Sequence, residues 1–270
     1  MTERRLTVAD FQFISSKRKI VSLTAYTAPV ANALDSYCDL LLVGDSVAMV
    51  LYGMQGTQGA DLEMMIRHGK AVVSHSSQAM VIVDLPHGTY EHSVELAVQS
   101  SEIVMEKTGA CGVKLEGGVL IAPQIQAITS AGIPVLGHIG LLPQKFSQTS
   151  EFRITGKDAI EAEQLQKDAD AVTNAGAFGI VLEGIVEPVA RALSESASIP
   201  LIGIGASPSC HGQILVTDDL IGLYADFTPK FVKQYANVQS IIQEAAQAYA
   251  KDVISQRFPD DLHCFWPSKK

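Results

Sequence analysis

The sequence predicts an α/β protein whose parallel strands alternate with helices and close into a single (β/α)8 barrel. Seven short apolar runs, most of them ending on an ionisable residue, are separated by segments of helical pattern. The runs are residues 19–26, 39–46, 79–86, 111–118, 133–140, 178–185 and 199–206. Because parallel strands need long crossover connections, this alternation indicates a parallel sheet. The chain has 270 residues, which suits one barrel domain of about 250 residues.

The segments between the runs carry apolar residues at helical spacing. These faces are Leu62, Met65, Ile66, Val72 and Val73; Val94, Ala97, Val98, Val104 and Met105; Leu165, Ala169 and Val172; and Val186, Val189, Ala190 and Leu193. Glycines 109, 132 and 176 precede three of the runs and are expected to end helices there.

The last part of the chain completes the predicted barrel. We expect the eighth strand at 219–224 and a closing helix at 238–254, followed by an irregular tail from Phe258. No linker-like segment interrupts the pattern. The prediction is therefore one domain over 1–270, with a short N-terminal segment and an irregular C-terminal tail.

Composition and charge exclude several classes of function. The net charge of −9 argues against nucleic acid or an anionic membrane as the main partner. The first residues lack the apolar core of a signal peptide, and the four cysteines show no CxxC pairing, so a cytoplasmic protein with reduced thiols is expected. Residues 117–144 contain no Asp, Glu, Lys or Arg, but their polar residues and prolines favour a barrel helix and strand over a membrane span.

Three carboxylates follow or end apolar runs and are candidates for a metal site. Asp45 and Asp84 end the second and third runs, and Glu116 ends the fourth. The carboxyl ends of barrel strands converge on one face, so these groups are expected to lie together. An oxygen-rich site of this kind suits Mg²⁺, which uses one or two carboxylates together with water and substrate oxygens. The alternative is that each Asp caps the following helix.

Three further residues are candidates for catalysis or binding. Lys114 lies two residues before Glu116 on the same side of a strand, where it would bind a substrate oxygen, form a Schiff base or simply pair with Glu116. Glu183 ends the sixth run, and burial there would tune a carboxylate towards general-base work; a helix cap or an ion pair is the alternative. His138 is a candidate pocket-lining residue, and a core histidine with satisfied hydrogen bonds fits equally well.

Eight blocks of sequence between about residues 20 and 240 resemble the ketopantoate hydroxymethyltransferase family. They include LLLVGDSVAMV (40–50), VDLPHGTY (83–90), VKLEGG (113–118), IPVLGHIGLLPQ (133–144) and IVLEGI (180–185), and they occur in the order and spacing of the family. The resemblance implies a single-domain TIM (β/α)8 barrel of the phosphoenolpyruvate-utilising superfamily. It also implies assembly as a homodecamer.

The same resemblance implies roles for the residues singled out above. Asp45, Asp84 and Glu116 match the Mg²⁺ site; Asp45, Ser46, Asp84 and Lys114 match the positions that hold the 2-oxo acid; Glu183 matches the proton acceptor. The implied reaction transfers a hydroxymethyl group from the co-substrate 5,10-methylenetetrahydrofolate to 3-methyl-2-oxobutanoate. It gives 2-dehydropantoate, in pantothenate and coenzyme A biosynthesis, through a Mg²⁺-stabilised enolate.

The sequence departs from the family pattern mainly around the expected pocket rim. The departures are Thr27, residues 52–61, His87, Leu142, residues 149–156, Ser207 and His211. The metal and base positions are unchanged, but the rim positions are altered. Three alternatives therefore stay open beside the family reaction. They are a paralogous aldol enzyme for another 2-oxo acid, a lyase of the phosphoenolpyruvate mutase or isocitrate lyase kind, and a barrel that binds a metabolite without turnover.

Overall fold

A computed structural model describes residues 4–145, 153–224 and 228–267 of the chain. Eight parallel strands pair in chain order and close into a barrel, in which the last strand pairs with the first. The strands are β1 (Ile20–Thr24), β2 (Leu40–Val43), β3 (Met80–Asp84), β4 (Gly112–Glu116), β5 (Val135–Gly140), β6 (Gly179–Glu183), β7 (Leu201–Ile204) and β8 (Gly212–Leu215). The seven apolar runs contain β1 to β7, which confirms the predicted barrel.

Helices connect most of the strands, and the predicted apolar faces fall on four of them. The helices are α1 (Val8–Ser15), α2 (Ala28–Leu34), α3 (Val47–Val50), α4 (Leu62–Ser74), α5 (Val94–Thr108), α6 (Ala122–Ser130), α7 (Ala159–Asn174), α8 (Glu187–Ser196), α9 (Thr217–Leu220) and α10 (Val238–Ile254). The charge-free stretch 117–144 contains α6 and β5, as predicted. Glycines 109, 132 and 176 have φ angles of 70°, 84° and 92°, and each follows a helix in the left-handed conformation that glycine favours.

The predicted position of the eighth strand is wrong. Residues 219–224 form the end of α9 and a turn, whereas β8 is Gly212–Leu215. This strand has only four residues, and Gln213 within it is exposed, so it lacks a continuous apolar run. The connection from β7 also contains no helix, and the expected spacing between strands therefore fails at this point.

The barrel interior changes from apolar to ionisable along several strands. Alternate residues of a strand point to the same side, so Ile82 and Asp84 share one column and Val181 and Glu183 share another. An interior cluster of apolar side chains fills the amino-terminal part of the barrel, and Phe11 of α1 packs edge-on against Phe178 at 5.5 Å between ring centroids. The apolar layer therefore supports a polar layer at the carboxyl ends of the strands.

The chain divides into two compact units, residues 1–217 and 218–270. The first contains the barrel. In the second, Asn237 caps α10, which has no buried residue, and the tail, as far as residue 267, has a short 3-10 turn at Asp261–His263. The single-domain organisation over 1–270 stays a prediction. None of the helices in the described ranges is long and apolar enough to cross a membrane.

Candidate active site

The carboxyl ends of neighbouring strands bring the predicted site residues together. Asp84 ends β3, Glu116 ends β4 and Glu183 ends β6, while Asp45 directly follows Gly44 at the end of β2. Strand register places Asp84 beside Lys114 and Glu116 beside His138. The side chains of this layer are almost wholly buried, except that of Glu183.

Lys114 forms the positive centre of this layer. Its Nζ lies 2.9 Å from Oδ2 of Asp84 and 4.0 Å from Oε1 of Glu116. The closer partner is therefore Asp84 on the neighbouring strand, and a simple Lys114–Glu116 pair within one strand does not describe the site. The ammonium group is 5% exposed and is compensated by carboxylates on more than one side.

Asp45 joins the same cluster through its backbone as well as its side chain. Its N–H donates to Oδ2 of Asp84 at 3.1 Å. The helix-cap alternative is not supported for Asp45, because α3 has Ser46 as its N-cap residue and no described side chain makes a capping hydrogen bond there. Oγ of Ser46 lies 2.7 Å from the hydroxyl oxygen of Tyr26.

His138 lies between two of the carboxyl groups. Its Nδ1 is 3.3 Å from Oε1 of Glu116, and its Nε2 is 3.3 Å from Oε2 of Glu183. Neither ring nitrogen has a hydrogen-bond partner among the described residues, although both distances are those of an ion pair. The histidine therefore connects the position of Glu183 to the carboxylate cluster, and its role as a pocket-lining residue stays a prediction.

Glu183 is the most accessible member of the layer. Its side chain is 18% exposed, whereas those of Glu116 and His138 are 2% exposed. The buried environment expected for this carboxylate is thus only partly present. Glu183 is therefore partly open to solvent, while its Oε2 contacts the buried histidine.

Burial and mutual repulsion perturb the ionisation of the cluster. Burial, followed by the charges of Asp84 and Glu116, raises the pKa of Asp45 to about 8, and burial also raises the pKa of Asp84. Burial opposes the charge of His138, but the carboxylate of Glu116 raises its pKa to about 9. The pKa of Lys114 is raised above its usual value because its carboxylate neighbours outweigh the effect of burial.

The histidine and lysine act on Glu116 in the opposite direction. Burial tends to raise the pKa of Glu116, but the neighbouring His138 and Lys114 lower it below its usual value. The arrangement thus holds Glu116 ionised beside two cations, whereas the raised pKa values of Asp45 and Asp84 mean that these two carboxyl groups lack enough neighbouring positive charge to ionise readily. Such a pair favours a bound cation.

Two buried residues contact the cluster but were not among the predicted site residues. Nε2 of Gln144 donates to Oδ2 of Asp45 at 2.8 Å, and the N–H of Gln144 donates to Oε2 of Glu116 at 3.1 Å. The hydroxyl of Tyr90 lies 2.6 Å from Oε1 of Gln144. Both residues lie inside sequence blocks that resemble the family, 83–90 and 133–144. The only sequence signal that could have marked them as site residues is that each is an uncharged polar residue at the end of its block.

Some residues that depart from the family pattern lie near the carboxyl ends of the strands. Thr27 precedes α2, Nδ1 of His87 lies 2.8 Å from Oε1 of Glu91, and Leu142 follows β5. Residues 52–61 include a 3-10 turn and Asp61, the N-cap of α4. Of the segment 149–156, residues 149–152 lie outside the described residues.

The other two departures, Ser207 and His211, lie at opposite ends of strands. Ser207 follows β7, and its hydroxyl donates to Glu187 at 2.9 Å. His211 directly precedes β8, so it lies at the amino-terminal end of that strand and not at the expected pocket rim. Its Nδ1 accepts a hydrogen bond from the N–H of Leu201 at 3.1 Å, a contact that joins two strand starts.

Comparison with known proteins identifies the relatives of this chain. A family model described as ketopantoate hydroxymethyltransferase matches residues 5–261. The 3-methyl-2-oxobutanoate hydroxymethyltransferase of Paramagnetospirillum magneticum is 52% identical over 267 residues, which covers 99% of this chain and 97% of that protein.

Solved structures with the same fold are more distant in sequence. A 2,3-dimethylmalate lyase of the PEP mutase/isocitrate lyase superfamily has a TM-score of 0.58 and 16% identity, covering 96% of this chain and 89% of that one. A phosphonopyruvate hydrolase in complex with oxalate and Mg²⁺ has a TM-score of 0.57 and 13% identity, covering 97% and 92%. These similarities support the barrel fold.

Proposed function

Because the chain belongs to the ketopantoate hydroxymethyltransferase family, we propose that it transfers a hydroxymethyl group from 5,10-methylenetetrahydrofolate to 3-methyl-2-oxobutanoate. The product is 2-dehydropantoate, an intermediate of pantothenate and coenzyme A synthesis. The observation that carries this proposal is the sequence of contacts from Glu183 through His138 to Glu116 and Lys114 at one end of the barrel.

The carboxylates are suited to a hard divalent cation. Oδ1 of Asp84 is buried and has no hydrogen-bond partner among the described residues, so it is an acceptor that a cation would satisfy. Asp45, Asp84 and Glu116 provide the oxygen ligands that Mg²⁺ prefers. No group of three His, Cys, Asp or Glu side chains in the described ranges is arranged to hold a metal by itself. Mg²⁺, which keeps water and substrate oxygens as ligands, fits this arrangement better than a metal that needs a full protein cage.

When bound, Mg²⁺ would act as a Lewis acid on the keto group of the substrate. The protein groups have separate tasks. Glu183 accepts the proton from C3 of the 2-oxo acid, because it is the accessible carboxylate of the layer. Ser46 and Lys114 bind substrate oxygens beside Asp45 and Asp84, and the Lys114 ammonium stabilises negative charge that develops on the keto oxygen.

His138 positions the proton acceptor. Its Nε2 lies 3.3 Å from Oε2 of Glu183, and its charge is stabilised by Glu116 on the other side. Once C3 has lost its proton, the methylene carbon of the folate forms bonds to C3 and to the oxygen of water while its bonds to N5 and N10 break. Tetrahydrofolate leaves with the C3 proton and one proton of water on those nitrogens. Burial of the surrounding layer keeps these electrostatic contacts strong.

The transferase reaction is preferred to a lyase reaction because of the comparisons themselves. The lyase and hydrolase structures share the fold at 13–16% identity, whereas a relative at 52% identity has the transferase name. A paralogous enzyme for another 2-oxo acid is the second candidate, favoured by the changed segment 52–61. In that segment, Nε2 of Gln58 donates to the carbonyl oxygen of Gln144 at 2.7 Å, next to the carboxylate cluster.

The assembly and location implied by the family are part of the same proposal. We expect a cytoplasmic homo-oligomer, a homodecamer by family resemblance. The exposed apolar residues Ile241, Ile242 and Tyr249 of α10 support association between copies. Light scattering coupled to size-exclusion chromatography would measure the number of subunits.

Proton NMR of 3-methyl-2-oxobutanoate in D₂O tests the proposed chemistry without the folate. We expect the C3–H signal to disappear with protein and Mg²⁺, to persist without Mg²⁺, and to persist with Glu183→Gln. Glu195→Gln, on the exposed face of α8, is the matched control and should exchange like the wild type.

A result without exchange is resolved by adding 5,10-methylenetetrahydrofolate. Exchange or product formation only with the folate would mean that the proton step waits for the second substrate. If neither exchange nor product is seen with both substrates present, the proposed substrate is wrong, and exchange with other 2-oxo acids would then favour the paralogous enzyme.

A further inference from the structure

Gln144 connects several separate parts of the site. It lies in the 3-10 turn Pro143–Lys145 after β5 and is 2% exposed. Its side-chain Nε2 donates to Oδ2 of Asp45 at 2.8 Å and to the carbonyl oxygen of Leu85 at 3.0 Å. Its Oε1 accepts from the hydroxyl of Tyr90 at 2.6 Å. Both amide hydrogens and the amide oxygen are therefore used.

The contacts allow only one orientation of this amide. Rotating it by 180° would place Oε1 against Oδ2 of Asp45 and the carbonyl oxygen of Leu85, and three acceptors would then face one another. The orientation with Nε2 towards Asp45 satisfies every group. The amide therefore sets the direction in which the Asp45 carboxylate is held.

Tyr90 extends the same hydrogen-bonded chain to Glu116. The N–H of Glu116 donates to the Tyr90 hydroxyl at 3.2 Å, and the hydroxyl in turn donates to Oε1 of Gln144. The hydroxyl also lies 3.2 Å from the carbonyl oxygen of Glu116, but it has only one hydrogen, and the shorter contact to Oε1 of Gln144 takes it. The chain runs in one direction from Glu116 through Tyr90 and Gln144 to Asp45.

The Gln144 backbone reaches Glu116 by a second route. Its N–H donates to Oε2 of Glu116 at 3.1 Å, while Oε1 of that carboxylate faces His138 and Lys114. Asp45 follows β2 and Glu116 ends β4, so the two carboxylates come from strands that are not neighbours. One residue from the loop after β5 thus fixes two carboxylates across the mouth of the barrel.

We infer that Gln144, oriented by Tyr90, is a positioning residue that fixes the Asp45 and Glu116 carboxylates in the arrangement that binds the divalent cation and the 2-oxo acid. The inference rests on the proposed function. It adds an element that the strand ends alone do not supply, because the carboxylates are held from the loop. Gln58 attaches residues 52–61 to the Gln144 carbonyl, so that segment acts on the site through the same residue.

Two neutral substitutions test the inference. Gln144→Met keeps the length of the side chain and removes the hydrogen bonds of the side-chain amide, while the backbone N–H of residue 144 stays. Tyr90→Phe keeps the ring and removes the hydroxyl. Gln126→Met, on the exposed side of α6, is the matched control. Thermal unfolding of each variant without Mg²⁺ establishes that it is folded, and Tyr90→Phe keeps the test valid if Gln144→Met does not fold.

The first readout is calorimetric titration of each protein with MgCl₂ in the absence of substrate. We expect Gln144→Met to weaken Mg²⁺ binding by about 10-fold to 100-fold, as loss of an outer contact to a metal ligand typically does. Tyr90→Phe should weaken it less, and the double variant should lose less than the product of the two single losses, because Tyr90 orients Gln144 as well as contacting the Glu116 backbone. The second readout is the Mg²⁺ concentration that gives half-maximal C3–H exchange, which should shift by the same factors.

Each result decides a different question. If wild-type protein binds Mg²⁺ and exchanges C3–H, and Gln144→Met does so with unchanged Mg²⁺ dependence, the positioning role is overturned and the proposed function stands. A double variant whose loss is the product of the two single losses would overturn the role of Tyr90 in orienting Gln144. Wild-type protein with neither Mg²⁺ binding nor exchange with both substrates would overturn the proposed function, and the inference would fail with it.

Discussion

Replacing Lys114 with Met removes the ammonium group that compensates the buried carboxylates, and the structure gives the size of the effect. The Lys114 side chain is 5% exposed, and its Nζ lies 2.9 Å from Asp84 and 4.0 Å from Glu116. Met has a similar length and no charge, so the packing volume is largely kept. The change therefore tests the charge and not the shape of the side chain.

The expected loss in the free energy of unfolding is the balance of two opposing contributions. With an effective dielectric constant of about 20, the contacts of Lys114 with Asp84 and Glu116 are worth roughly 6 and 4 kcal/mol. Burial of the ammonium group costs several kcal/mol and offsets part of that attraction. Removing one partner of a buried pair leaves the other charge uncompensated, and we expect a loss of about 3–5 kcal/mol in the free energy of unfolding at pH 7.

The loss should depend on pH in a defined direction. Without Lys114, the already raised pKa of Asp84 rises further, so the folded protein holds more protons than the unfolded chain near neutral pH. Stability falls with rising pH wherever the folded state binds more protons. The variant should therefore lose more stability at pH 8 than at pH 5.5.

Urea unfolding in the presence of EDTA measures both effects. Lys107→Met, at a position where the side chain is 52% exposed, is the control and should change stability by less than about 0.5 kcal/mol. If Lys114→Met matches this control, or if its loss does not vary with pH, the carboxylates do not depend on the lysine charge and the electrostatic account of the cluster is refuted.

Two further predictions concern the scaffold. Asp35 accepts hydrogen bonds from the three backbone N–H groups of 77–79. Burial tends to raise the pKa of Asp35, but these bonds outweigh it and lower the pKa. The ionised carboxylate therefore stabilises the fold above the unfolded-state pKa near 4, and this stabilisation is lost as the pH falls below that value. Thermal unfolding of Asp35→Asn should show a loss of about 1–3 kcal/mol at pH 7 that shrinks at pH 3, and a pH-independent loss would contradict this. A Cβ on Gly118 would lie 1.9 Å from Oδ1 of Asp168, so Gly118→Ala should cost about 1–3 kcal/mol in urea unfolding, whereas Gly56→Ala, with open space around it, should be neutral.

The barrel could be predicted from sequence because its strands are buried on both faces. Such strands read as continuous apolar runs, and a polar residue within them stands out. Asp84 and Glu183 were found in this way, since each follows apolar residues in the same interior column. β8 was misplaced for the complementary reason: with four residues and an exposed Gln213, it has no run to detect.

The contacts among site residues were less predictable than their positions. Strand ends in a parallel barrel converge by topology, so proximity of Asp84, Lys114 and Glu116 follows from the fold. The actual partner of Lys114 follows from strand register, in which Asp84 lies beside Lys114, and register is not encoded in either strand alone. Sequence spacing favoured Glu116, which lies farther away at 4.0 Å.

Gln144 shows which part of an active site sequence patterns miss. It lies 99 residues from Asp45 in the chain and is joined to it by a 2.8 Å hydrogen bond. A neutral amide in a loop has no periodicity, no charge and no strand position to mark it. It becomes informative only through its burial, since a buried amide that donates to a carboxylate and a backbone carbonyl and accepts from a hydroxyl must have one orientation. The strand ends supply the charged groups, and the loop after β5 supplies the restraint that holds two of them in place.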